Sequence, residues 1–148
     1  MKAHYWHLAV MAVLMYVAMY WLMYAMVDQL DNVVSNVNQF YMAGLMTAVM
    51  IPIELSVMRS MYKDRKANWA ILAVSLIAAV GFWLGIRQQL TIGDDQLLRS
   101  MIPHHGGAIL MCEQASLSDS SVQELCGQII ASQQSEIALM RDMLGEAE

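Results

Sequence analysis

Five potential metal donors fall within twelve residues of this chain: Met101, His104, His105, Met111 and Cys112. Thioether and thiolate sulfur favour Cu(I), while imidazole nitrogen accepts copper, zinc, nickel or iron. The run that carries them, DDQLLRSMIPHHGGAILMC from Asp94 to Cys112, also departs from helix rules. Pro103 removes a backbone donor inside a helical pattern, and Gly106 and Gly107 follow it. Local rules broken beside potential ligands mark a candidate site. Adjacent histidines on a helix project about 100° apart, so one can face a seam and the other a partner chain. The competing reading makes Met and Cys core filler and has the histidines bonded to buried carbonyls.

Two helices are predicted to position these groups. Gly93 ends what precedes it, and Asp94 or Asp95 can cap a helix running to about Ser116. Its apolar and ligand face reads Met101, His104, His105, Ala108, Met111, Cys112 and Ala115, at a spacing of three and four. Leu117–Ser120 reads as a turn, and Ser121-Val-Gln-Glu124 as a capping box. A second helix then runs to about Leu144, with Val122, Leu125, Cys126, Ile129, Gln133, Glu136 or Ile137, Met140 and Met143 facing inward. Folding back about residues 118–119 sets Cys112 opposite Cys126 or Leu125, and both histidines opposite Gln133 and Ser132. Met101 then meets Glu136, with Met140 one turn on. Glu136 can complete a metal site or hydrogen-bond a ligand imidazole; the plainer reading is a surface acid paired with Arg141 or Arg99. Cys112 and Cys126 can be a Cu(I) thiolate pair, a disulfide stapling the hairpin, or two buried thiols. One hairpin cannot bury both of its faces, so two copies are expected to associate.

The run from Asp95 through Leu-Arg-Ser-Met-Ile-Pro-His-His, then Ala108-Ile109 and Met111, resembles the domain of unknown function 305 family (DUF305). The resemblance continues in Leu125, Ile129-Ile130, Gln133 and Glu136-Ile137 to Met140, and so covers nearly all of residues 94–144. It extends to the membrane-anchored subgroup with three spans ahead of one such hairpin. The resemblance implies a ferritin-like helical arrangement and, for some members, copper binding or copper tolerance. It implies no agreed reaction.

The rest of the chain reads as membrane. Of its 148 residues 58% are hydrophobic and only 14% charged, too little charge for a soluble domain of this length. Leu8–Val27 carries no formal charge over twenty residues, enough to cross a hydrocarbon core of about 30 Å as a helix. Further spans are expected at about 40–57 and 67–86, the last with Trp69 and Trp83 near its ends. The predicted fold is all-α: a membrane domain over 1–87, then an extracytoplasmic antiparallel hairpin over 88–148, a ferritin-like half-bundle completed by dimerisation. Lys2 and the loop holding Arg59, Lys63, Arg65 and Lys66 are basic, whereas Asp28–Gln39 has no Lys or Arg. The positive-inside rule therefore puts the N-terminus in the cytoplasm and the hairpin outside the cytoplasmic membrane, in the periplasm or beyond. Residues 88–148 hold two basic against nine acidic residues, which excludes a nucleic-acid surface there.

Methionines also repeat every four residues in the spans: Met11, Met15, Met19 and Met23, then Met42, Met46 and Met50, with Glu54 taking the next position before Met58. A thioether relay for Cu(I) or Ag(I) is one reading, and adaptable apolar packing the other. Glu54 is an intramembrane acid and so a functional candidate, unless it reaches the interface to pair with Arg59 or Lys63. His4 and His7 could take up metal, or sit at headgroup level.

The residues together predict metal handling: copper, above all Cu(I), or another transition metal, bound outside the cytoplasmic membrane for tolerance, storage or delivery. The ligand candidates are Met101, His104, His105, Met111, Cys112, Glu136 and Met140, with Met46, Met50 and Glu54 within the membrane. The expected partners are the lipid bilayer, the metal ion and a second copy of the chain. No catalytic residue is assigned. A ferritin-like oxidoreductase is a rival, weakened because no Glu-x-x-His motif occurs. A structural or regulatory subunit that dimerises through the hairpin is the other.

Overall fold

A computed structural model describes residues 2–146. Within them the chain is helical, with no strand. In chain order the long helices are α1 (Lys2–Leu22), α2 (Val37–Val57), α3 (Arg65–Gln88), α4 (Asp94–Gln114) and α5 (Ser120–Met143), with short 3-10 turns at Met23–Met26 and Leu30–Asn32. Three stretches are long and apolar enough to cross a membrane: His4–Met26, Val37–Val57 and Arg65–Gln88. Each begins a few residues before the apolar run that marks it in the sequence; in α2 the polar first-turn residues find partners. Asn38 and Gln89 exchange side-chain hydrogen bonds at 3.1 and 3.0 Å, and Gln39 donates to the Tyr20 carbonyl.

The chain forms two compact units. The first comprises residues 1–23 and 38–91, hence α1, α3 and nearly all of α2. Leu8, Leu55 and Tyr62 make one core cluster. Further along α2, Gly44 has no side chain where the Phe82 ring of α3 lies, and any Cβ there would collide with it. Ala43, Thr47 and Ala48 are buried beside it. Met11, Met15, Met19 and Met23 are half-buried, whereas Met42, Met46 and Met50 are exposed. The first methionine row therefore packs within the unit. The second faces outward. Pro52 stays inside α2, and Ser56 Oγ donates to its carbonyl at 2.8 Å.

The second unit holds α4 and α5 as an antiparallel hairpin, together with residues 24–37. A division between 87 and 88 assigns that segment to the membrane part; it packs with the hairpin instead. α4 runs through Pro103 without a break, and its N-cap is Gly93 rather than Asp94 or Asp95. Asp119 caps α5, accepting from the Ser121 and Val122 amides, in place of the Ser121–Glu124 box. The hairpin core is Ile102, Ile109, Ile137 and Met140, with Val34, Leu98, Met101 and Leu144 packed against it. The inward face of α4 thus follows Leu98, Ile102, His105, Ile109 and Cys112, a heptad-like seam. It is rotated from the predicted face, so His104 and Met111 are exposed. On α5, Val122, Leu125 and Met143 are likewise exposed.

Candidate metal site

His105 is the one candidate nitrogen donor buried in the seam. Its side chain is 8% exposed, and both ring nitrogens are engaged. Nδ1 lies 2.8 Å from the Met101 carbonyl one turn back. Nε2 lies 2.7 Å from Glu136 Oε2 on α5. A carbonyl oxygen only accepts, so Nδ1 carries a proton and donates it. Nε2 then faces a carboxylate with one proton shared between them. Ser132 Oγ, one turn before Glu136, donates to the other carboxylate oxygen at 2.8 Å. The Ser132 hydroxyl and then the His105 ring, both bonding the carboxylate, hold the Glu136 carboxyl below its ordinary value. Glu136 therefore stays ionised well into the acid range, and the stability it lends is complete at neutral pH. That contribution is lost only as pH falls through its depressed folded value.

The orientation of His105 follows from its neighbours. Ile102 and Ile109, one turn before and after it, are fully buried in the seam. Glu136 rises beside Ile137 at the rim and remains half-exposed. The predicted partner one turn along was Met101; the helices sit so that His105 meets Glu136 instead. This is the imidazole hydrogen bond that the sequence left open, and not the pairing of Glu136 with Arg141 or Arg99. Arg99 pairs with Glu146 at 2.9 Å, and Arg141 turns the other way.

The remaining candidates are dispersed. His104 is exposed, its ring centroid 6.2 Å from that of His105. Met101 is half-buried against the core and Met140 is part of it. Met111 is 56% exposed. Cys112 and Cys126 are joined in a disulfide, so Cys112 offers no thiolate in this state and a Cu(I) thiolate pair does not form. Glu54 is half-buried and makes no ion pair with Arg59 or Lys63 among the described residues. His7 is exposed, and His4 Nδ1 is buried without a hydrogen-bond partner. Among the described residues no group of three or more His, Cys, Asp or Glu side chains is placed to hold a metal ion. One chain therefore brings together two converging donors, His105 Nε2 and Glu136 Oε2.

Sequence reasoning missed the opposite face of α4. Gly106 is buried under residues 27–32, where a Cβ would collide with the Asp28 carboxylate and press on Val27 and Asn32. Asn32 is fully buried; it donates to Asp28 at 2.8 Å and accepts from the Arg141 guanidinium at 3.1 Å. Arg141 also donates to the Asp31 carbonyl. Val37 N–H donates to Gln96 at 3.1 Å. The Gly-Gly pair thus clears α4 for a strap from its own chain, and part of the cover that the hairpin needs is intramolecular. Gly106→Ala should cost about 1–3 kcal/mol of hairpin stability through overpacking. Gly127→Ala on α5, where a Cβ meets nothing within 4 Å, should stabilise by about 0.5–1 kcal/mol. Thermal melts of the two variants read the difference; equal melting would place the strap elsewhere.

The family model described as Domain of unknown function (DUF305) matches residues 87–144. A relative from Acanthamoeba polyphaga mimivirus, named Uncharacterized protein L153, is 33% identical over 121 residues, 80% of this chain and 78% of that protein. The chain belongs to the DUF305 family. The DUF305 match takes in α4, α5 and both members of the His105–Glu136 pair. Residues 24–37, which complete the same compact unit, lie outside the DUF305 match. No solved structure matches the chain.

Proposed function

We propose that this chain is a membrane-anchored copper-binding protein, with its DUF305 hairpin outside the cytoplasmic membrane as the metal-handling part. The observation that carries the reading is the His105–Glu136 contact. It brings a nitrogen and an oxygen donor together at the rim of an otherwise apolar seam, and Ser132 fixes the carboxylate. The proton between them lies where an ion would bind both. With Cys112 in a disulfide, the set is imidazole and carboxylate. It suits Cu(II) or Zn(II) better than the Cu(I) expected from a thiolate-containing set. Water or groups from a second copy of the chain fill the remaining positions. The exposed residues Val122, Leu125, Leu139 and Met143 on α5 give such a copy an apolar surface.

The location is argued from charge and redox chemistry. The basic loop between α2 and α3 belongs on the cytoplasmic side of the inner membrane, and α3 then carries the chain across. A disulfide on the far side suits an oxidising compartment. Tolerance, storage and delivery all fit such a protein.

Titration of the full chain in detergent with Cu(II), against a competing chelator, tests the proposal. His105→Ala or Glu136→Gln should weaken binding by about 10- to 100-fold, and His104→Ala by less. Because binding displaces the shared proton, affinity should fall by about tenfold per pH unit wherever the imidazole is protonated. Glu136 stays ionised over that range, so the profile should show one proton released per ion. Unchanged affinity in His105→Ala, with helicity and disulfide intact, would overturn the assignment.

A further inference from the structure

The loop joining α2 to α3 is built as a rigid basic collar. Arg59, Lys63, Arg65 and Lys66 are all exposed, and neither of the ion pairs among the described residues involves them. The one acid in this stretch, Asp64, is committed to capping α3, accepting from the Lys66 and Ala67 amides at 3.0 and 3.1 Å. The loop is also tied to its neighbours. The Tyr5 hydroxyl accepts from the Asp64 amide at 3.2 Å and donates to Asn68 Oδ1 at 2.8 Å. Asn68 Nδ2 donates to the Tyr62 carbonyl at 2.8 Å, and Tyr62 is buried beneath. Four cations are therefore presented on a backbone tied at several points, against the single carboxylate of Asp64, and none of them is ion-paired among the described residues.

Two indoles mark the level at which this collar sits. Trp6 and Trp69, each one residue past the Tyr5–Asn68 contact, are 69% and 73% exposed. Trp21 and Trp83 are exposed towards the other ends of α1 and α3, about 21–23 Å away at 1.5 Å per residue. Exposed indoles at the end of an apolar helix are what interfacial anchoring produces, and Trp6 and Trp69 stand at that end beside the collar. The cations consequently lie at headgroup depth, where phosphodiesters are the available anions and each Lys or Arg strengthens association by about fivefold.

We infer that residues 59–66 bind the anionic phospholipid headgroups of the leaflet at this end of the unit, independently of any metal at the hairpin. The full chain, reconstituted in phosphatidylcholine bilayers, is probed with spin-labelled phosphatidylglycerol and phosphatidylcholine by electron spin resonance. The anionic label should be several-fold enriched among the motionally restricted lipids. The enrichment should fall to parity in Arg59→Gln/Lys63→Gln/Arg65→Gln/Lys66→Gln, and partway in Lys63→Gln/Lys66→Gln, which tests the idea even if the fourfold variant inserts poorly. It should collapse near 1 M salt, where the screening length is about 3 Å, and survive Arg59→Lys/Lys63→Arg. Soluble glycerol phosphate should not compete; displacement by it would make this a free phosphate-ester site and overturn the lipid assignment. Equal enrichment of both labels in the natural protein, or enrichment unchanged in the fourfold variant, would overturn it too.

Discussion

Ile102→Ala and Ile109→Ala should each destabilise the hairpin by about 2–5 kcal/mol, the cost of emptying a filled core position. Ile102 is 0% and Ile109 1% exposed, and together with Ile137 and Met140 they form the hairpin core. Val34, Leu98, Met101 and Leu144 pack against this core, and how far they relax into the space sets where in that range each variant falls. A unit of two helices and a strap has little stability in reserve. Either change should therefore shift most of the hairpin's unfolding transition to much lower denaturant. Met111→Ala, at an exposed position, should change stability by no more than about 0.5 kcal/mol. The comparison is decisive for the seam: if Met111→Ala were the costly variant, the predicted face would be right and the observed one wrong. Loss of Ile102 should also loosen His105, which packs one turn away, so metal affinity and stability should decline together.

Length and apolarity alone made readable the three helices long and apolar enough to cross a membrane. A run such as Leu8–Val27 has few alternatives, and its observed bounds differ by no more than a few residues at either end. The hairpin was readable for a similar reason: two amphipathic stretches flank a turn rich in serine, with Asp119 at its end. The error lay in which face turns inward. Choosing the face by ligand chemistry put His104 and Met111 inside, whereas filling volume puts Ile102 and Ile109 there. The i, i+7 pair of isoleucines bracketing His105 was the available signal. His105 and Glu136 were both named, but their contact depends on a helix offset of about one turn that residue counting across a turn does not fix. The strap was not readable. Asn32 lies in a polar run like any loop, and its burial depends on Arg141, 109 residues away in sequence, and on a missing Cβ at Gly106. Ser132 likewise carries no pattern; its hydroxyl matters only because Glu136 is one turn further along.

Reducing the Cys112–Cys126 disulfide should lower hairpin stability by about 3 kcal/mol, the loop-closure value for a crosslink of this span. The bond joins residues separated by 14 positions, and it is the one covalent tie between α4 and α5. It lies at the turn end of the hairpin, whereas the Arg99–Glu146 pair and the Arg141 contacts to the strap secure the other end. Reduction should therefore fray the turn first, with amide exchange rising around residues 110–126 before it rises around 98–105. Cys112→Ser/Cys126→Ser should reproduce the stability loss in the absence of reductant, which separates the crosslink from any side effect of the reagent. The same variant decides what sulfur contributes to metal binding. If His105 and Glu136 hold Cu(II), the affinity of the double-serine protein should equal that of the oxidised natural chain at temperatures where both are folded. Reduced natural protein should by contrast gain Cu(I) affinity, because two thiolates become available to a soft ion. A loss of Cu(II) affinity greater than about tenfold in the folded double-serine variant, where tenfold corresponds to 1.4 kcal/mol, would show that the crosslinked turn is needed for Cu(II) binding and that the His105–Glu136 pair is not sufficient as the principal site.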